Sequence, residues 1–246
     1  MNNISETAKN MVKKLGYPCK VYAAKTPYQQ IISAYQDGLE RGKKEGFTPV
    51  IVPVDDTLED FFGILQDDGY SIEDILKAEP QSGKELLEER FEEYSGQNEE
   101  DFGMDMDEFI GEYDEEPEVM TGFSSICDYS TGATLETIIF EVPTTNPWEL
   151  VVYVPFGGWN ECPDPETMMA ICKYWYEEYG AVPAVITHDV LEMTVPAPVG
   201  KDKALEVARE HYAFTPDRVD QGTATGTLSE VAASVAISDV WFFWWD

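Results

Sequence analysis

The sequence lacks most of the signals that assign a function quickly. Its four cysteines, Cys19, Cys127, Cys162 and Cys172, form no CxxC pair and keep no regular spacing. Neither a zinc knuckle nor a disulfide framework is indicated, and reduced thiols are the simplest reading. No apolar run approaches the roughly 18 to 20 residues that cross a bilayer, and the start, MNNISETAKNMVKK, has no apolar stretch of the secretory kind. A cytoplasmic setting is expected. Phosphate-binding glycine motifs of the GxGxxG and GxxxxGK[ST] types are missing, and no cofactor is implied. Positive charge is also scarce, with 16 Lys and Arg against 48 Asp and Glu, a formal net of -32. Such a field repels phosphate backbones and anionic lipid. Neither a nucleic acid nor a membrane is therefore expected as a partner.

What is present suffices for a folded core. Of the 246 residues, 43% are apolar and 13% aromatic, enough to offset the conformational entropy of one sizeable core or two modest ones. The acid is regional. Residues 55–118 hold 25 acidic and 3 basic residues, net -22, whereas 1–54 hold 4 and 8, net +4. Adaptation to salt would spread acid over the whole surface, so a localised field points to a localised purpose.

Periodicity gives the elements. CKVYAA reads as a strand, Thr26 as a helix cap with Pro27 at the first helical position, and Tyr28, Ile31, Ile32, Tyr35 and Leu39 as one helical face closed by Gly46. FTPVIVPV is a β-branched run suited to a buried strand, so the opening predicts a βαβ unit with a parallel pair. Thr57 with Asp60, and Ser71 with Asp74, mark two further helix starts. Residues 83–94 continue in helical style, after which SGQNEEDFGMDMDEFIGEYDEEPE loses periodicity and reads as a loop. In the second half, alternation over 137–142 and again at Trp148, Leu150, Val152 and Val154 predicts a hairpin. A helix from Pro165 to Tyr179 follows, capped by Asp164 and ended by Gly180. Two short strands meet at His188-Asp189, a helix runs from Lys201 to Phe214, and Thr227 with Glu230 caps a last helix. WFFWWD closes the chain as a strand expected to be covered on both faces. The prediction is an α+β fold with a mixed sheet: 1–94 as an α/β region with acidic helices, 95–120 as an acidic linker or loop, and 121–246 as a split βαββαβ-like domain with an added helix.

Four segments in order, YVPFGGWNECPD, KYWYEEYGAVPAVITHDVLE, AREHYAFTPDRVDQG and the terminal WFFWWD, resemble the bacterial family called domain of unknown function 4253. FTPVIVPVDDTLEDFF is similar to the more variable upstream region of some relatives. The resemblance implies a shared fold and a bacterial cytosol, and no chemistry. Where relatives often read Phe-Cys-Pro-Asp, this chain has Phe214-Thr215-Pro216-Asp217, so no thiol is carried over there.

Two loops concentrate polar residues in the matched region. Gly158 and Trp159 lie between a predicted strand and a helix, where glycines can let backbone N–H groups cradle an anion. With Glu161 and Asp164 nearby and no cation, a tight turn seating Trp159 on the core is the plainer reading. Cys162 precedes a helix whose dipole could activate a thiol if a histidine served as base. His188 reads otherwise as a turn residue and His211 as a partly buried helix residue bonded to a neighbour. Asp217, Asp220, Glu210 and Gln221 form the densest polar cluster, suited to acid/base work or a divalent cation. The local alternative closes a turn through Asp217 and leaves Glu210 solvated. Acidic spacing from Asp101 to Glu112 is a poor calcium loop, because Met106 stands where a glycine is required. Trp241, Phe243 and Trp245 read as core before they read as a stacking platform. The leading expectation is a non-enzymatic interaction protein whose acidic middle meets a basic protein partner, toxin-neutralising or regulatory in kind. The alternative is a small-molecule binder or hydrolase using a pocket at Gly158, Trp159, Cys162, Glu210, His211, Asp217, Asp220 and Gln221.

Overall fold

A computed structural model describes residues 4–67, 69–79, 81–103 and 105–246. The elements, in order, are α1 (Glu6–Leu15), β1 (Cys19–Tyr22), α2 (Tyr28–Glu45), β2 (Thr48–Pro53), α3 (Asp56–Phe61), a 3-10 turn (Phe62–Gln66), α4 (Ile72–Lys77), α5 (Gly83–Phe102) and α6 (Met106–Ile110). They continue with β3 (Thr137–Val142), a 3-10 turn (Pro147–Glu149), α7 (Leu150–Tyr153), α8 (Pro165–Tyr179), β4 (Val182–Ile186), β5 (Val190–Thr194), α9 (Lys201–Phe214), α10 (Asp217–Asp220), α11 (Leu228–Val235) and β6 (Val240–Trp244). The fold is α+β, with one mixed six-stranded sheet in the order β1-β3-β2-β4-β5-β6. Among the described residues no helix is long and apolar enough to cross a membrane.

The chain divides into two compact units that interleave along the sequence: residues 1–79, 123–157 and 182–192 form the first, and 80–122, 158–181 and 193–246 the second. In the first unit β3 is antiparallel to both β1 and β2, with Lys20 opposite Ile139 and Ile51 opposite Ile139 from the other side. The opening β1-α2-β2 segment is therefore a split unit. Its two strands point the same way, but β3 lies between them, and the parallel neighbour of β2 is β4. This corrects the expected adjacent parallel pair; β3 carries apolar residues on both faces and can pair along both edges.

Helix ends follow local chemistry. Ser5 caps α1 by accepting from the Ala8 N–H, and Gly16 closes it at φ 72. Helix α2 begins at Tyr28, one residue later than the cap signature suggests, because Thr26 Oγ1 is engaged with the Ala23 carbonyl. Asp55, not Thr57, caps α3 through the Leu58 N–H, whereas Ser71 caps α4 as expected. Residues 147–153, expected as the second strand of a hairpin, are helical instead. Asn146 Nδ2 and Thr144 Oγ1 both donate to the Glu149 carboxylate, which ties down a Pro147 turn, and Leu150, Val151 and Val152 are all fully buried. A short run buried on every side carries no period by which strand and helix can be told apart.

In the second unit, α5 continues to Phe102 and α6 follows, so helix occupies much of the stretch expected as loop. Helix α5 packs on α8 and α9, and α9 on α11. The core is aromatic. Trp175 of α8 stacks on Phe243 of β6 at 5.2 Å, while Phe214 meets Trp175, Phe243 and Trp245 edge-on. Strand β6 ends the sheet order, and Trp241, Phe243 and Trp245 are buried while Phe242 and Trp244 are half-buried. The expected covering of both faces holds fully for one of them. Thr227 makes no side-chain cap; Glu230 instead accepts from the Ala224 and Thr225 N–H groups.

Candidate functional site

The loop from Gly158 to Pro163 lies in the second unit. Gly158, at φ 76, donates its N–H toward the Cys162 and Pro163 carbonyls at 3.2 and 3.1 Å, and Cys162 donates back to Trp159 O at 3.0 Å. An N–H spent inside its own turn is not free to hold an anion. Arg90 of α5 secures the loop by donating to Glu161 O and Ala213 O, each at 2.8 Å. Trp159 has a buried indole nitrogen with no hydrogen-bond partner among the described residues, and Cys162 is buried.

Asp217 stands at the start of α10. One oxygen accepts from Gln221 Nε2 at 2.6 Å and the other from the Asp246 N–H at 3.0 Å, while Asn160 Nδ2 donates to the Asp246 carbonyl at 2.6 Å. The two polar loops thus meet through the last residue. Asp220 is on the surface, but the surrounding protein desolvates its carboxyl and the Asp217 charge adds to the effect, pushing its pKa up to about 6.

Glu210 and His211 serve other neighbourhoods. Glu210 is buried, and its oxygens accept from Tyr174 Oη at 2.8 Å, Trp175 Nε1 at 2.9 Å and Tyr179 Oη at 3.4 Å. Burial raises its pKa despite those donors. His211 is fully buried among the rings of Trp241, Phe243 and Trp175, at 4.7, 4.6 and 5.6 Å, and neither nitrogen has a hydrogen-bond partner among the described residues. Burial, then the charge of Arg218, holds its pKa well below the ordinary value. Both placements correct the sequence reading, which left Glu210 solvated and His211 hydrogen-bonded. Direct His211 assistance to Cys162 is absent as well.

The second unit has a groove of about 230 Å³ between α5 and α9, lined in part by Phe91, Glu92, Glu206, Arg209 and Glu210. Glu210 alone, among the candidate residues, reaches it. Around it the acid faces outward. On α5, α6 and the segment after them, Glu88, Glu92, Glu93, Asp107, Glu108 and Glu115 are exposed. Across 83–118 the ion pair among the described residues is Lys84 with Glu88 at 3.8 Å. Asp105, part of the poor calcium spacing, accepts from the Glu108 N–H as the cap of α6. No cluster of three or more His, Cys, Asp or Glu able to hold a metal occurs among the described residues.

Sequence reasoning passed over two polar arrangements in the first unit. Glu192, fully buried on β5, accepts from the Ser124 N–H and hydroxyl at 2.8 and 3.0 Å and from the Ser125 hydroxyl. A lone acid inside VLEM was its only signal. His188 Nδ1 lies 3.0 Å from Asp55 Oδ2. It does sit in a turn, yet its partner is far away in sequence.

Residues 138–246 match the profile of a family described as domain of unknown function, DUF4253. That segment contains the four motif stretches on which the resemblance rested. No curated protein and no solved structure matches the chain.

Proposed function

We propose that this chain, which carries a DUF4253 segment, is a protein-binding module whose acidic face takes up a basic protein surface, in a neutralising or regulatory role. The observation that supports the reading is the outward placement of Glu88, Glu92, Glu93, Asp107, Glu108 and Glu115, with Lys84 to Glu88 the ion pair among the described residues of 83–118. Like charges held together on helices repel one another, and an opposite surface relieves that repulsion on docking. Such complementarity speeds encounter and selects partners more than it adds affinity, and it weakens as salt shortens the roughly 8 to 10 Å screening length. The pocket reading has less support, since the Gly158 N–H and the Glu210 oxygens already have partners inside the protein.

The test is a comparison of the whole chain with a variant carrying Glu88→Gln, Glu92→Gln, Glu93→Gln, Asp107→Asn, Glu108→Gln and Glu115→Gln, all at exposed positions. The natural chain is expected to retain basic proteins from a native lysate at low salt and release them as salt rises, and the variant to retain far fewer. Equal recovery by both, or recovery indifferent to salt, rejects the proposal.

A further inference from the structure

Arg218, on α10, has fewer partners than its chemistry demands. A guanidinium carries five N–H groups and no acceptor. Among the described residues it makes one hydrogen bond, from Nη2 to Met120 Sδ at 3.8 Å, and its Nε is buried without a partner. Glu118 and Glu230 attract it through space, with no ion pair to either among the described residues, and burial still pulls its pKa below the ordinary value. The Glu230 carboxylate is spent on the Ala224 and Thr225 N–H groups and the Thr225 hydroxyl, and Glu118 is exposed to water.

Met120 brings its sulfur to Arg218 from a fixed backbone. Its N–H donates to Ser238 Oγ at 2.9 Å, and its carbonyl accepts from the Asp239 and Val240 N–H groups at 3.2 Å each. Two residues earlier, the Glu118 carbonyl accepts from Ser234 Oγ at 2.8 Å. The segment is thus pinned to the end of α11 and the start of β6, while the half-buried Met120 side chain reaches α10. A thioether is a weak acceptor, so the demand of the guanidinium is poorly met. An oxygen added to that same sulfur would meet it, because hydrogen bonds from a charged donor to an oxygen are among the strong ones.

We propose that Met120 is a site of oxidation by hydrogen peroxide, at which Arg218 assists the oxygen transfer and then holds the product. A sulfur lone pair attacks one peroxide oxygen, so the S–O bond forms as the O–O bond breaks. The departing hydroxide takes the proton of the transferred oxygen and leaves as water; the thioether is oxidised to the sulfoxide and the peroxide is reduced. The Arg218 N–H groups beside the sulfur face the negative charge that grows on the leaving oxygen. In the product the sulfoxide oxygen accepts from the guanidinium. A modification that ordinarily loosens packing therefore tightens the tie between residues 118–120 and α10. All of these residues belong to the second unit, and none is among the six exposed acids of the proposed docking face.

The experiment treats the whole chain with hydrogen peroxide and follows individual methionines by peptide mass spectrometry. Met106, exposed at the start of α6, is the reference. Met120 is less exposed, yet it is expected to oxidise faster than Met106 by roughly fivefold, the effect on a barrier of one net hydrogen bond. Arg218→Met keeps an unbranched side chain without donors and is expected to bring Met120 down to the Met106 rate or below it. Stability gives a second readout that needs neither peroxide nor a folded Arg218 variant. Met120→Gln offers Arg218 an amide oxygen and is expected to melt higher than Met120→Leu, which keeps the bulk and has no acceptor. Oxidation of Met120 no faster than that of Met106 overturns the proposal. So does an Arg218→Met chain in which Met120 keeps its rate, or a glutamine variant that melts at or below the leucine variant.

Discussion

Replacing Glu210 by alanine separates a structural carboxylate from a reactive one. The side chain is buried on α9 and receives Tyr174 and Tyr179 on one oxygen and the Trp175 indole N–H on the other. Trp175 is itself fully buried, so Glu210→Ala leaves its N–H without an acceptor, a loss of about 1 to 3 kcal/mol. The Tyr174 hydroxyl is half-buried and recovers part of its bond from water, which adds about 1 kcal/mol more. Relief of the desolvated carboxylate offsets some of this, leaving about 1 to 3 kcal/mol of net destabilisation. Glu210→Gln keeps an acceptor for the indole and loses about 1 kcal/mol. Urea unfolding followed by tryptophan fluorescence reads both values from the midpoint at constant slope. An alanine variant within about 0.5 kcal/mol of the natural chain would refute this role. A glutamine variant as unstable as alanine would show that charge, not the acceptor, is what the neighbours require.

Two further predictions concern the second unit. Gly83→Ala would bring a Cβ to 2.2 Å from the Ala170 carbonyl oxygen, a backbone atom that cannot swing aside. The variant is expected to lose about 1 to 3 kcal/mol in the same assay, and a neutral or stabilised protein would show that α5 and α8 do not approach so closely. His211→Phe tests linkage. The folded ring is held below its ordinary 6.5, so the folded state binds fewer protons than the unfolded chain. Its contribution to stability is therefore present above about 6.5 and is lost as pH falls below it. The phenylalanine variant should keep the ring contacts and show a shallower loss of stability between about pH 6.5 and 5; an unchanged slope contradicts the buried neutral imidazole.

Most elements were legible where one physical signal acts locally. Asp164 with Pro165, and Gly180 at φ 71, bound α8 at the expected residues, and α9 spans Lys201 to Phe214 as its periodicity indicates. Those ends depend on neighbours within a few positions. The misread stretches depend on distant partners. Residues 150–152 are an unbroken apolar run, buried on all sides, so no period separated strand from helix. Helix α5 persists to Phe102 through a run of acid in which periodicity had faded, with its earlier turns held by packing on α8 and α9. Likewise the sequence order β1-α2-β2 suggested adjacent strands, and nothing near residue 50 announces that β3, almost ninety positions later, slots between them.

Sites are less legible than folds because a polar residue acquires meaning from what satisfies it. Glu210 and Asp217 were noticed for their chemistry, yet their hydrogen bonds tie α9 to α8 in one case and α10 to the chain end in the other. Tyr22 drew no attention in CKVY, where it reads as an ordinary strand aromatic. Only the folded chain shows that its hydroxyl is buried without a hydrogen-bond partner among the described residues. The useful quantity is therefore unmet demand for a partner, not polarity. Among the described residues, the exposed acid of α5 and α6, with Lys84 to Glu88 its ion pair, is a place where that demand faces outward. That charge is diffuse and screened by salt, which suits selection of a charged surface over tight binding of one small molecule.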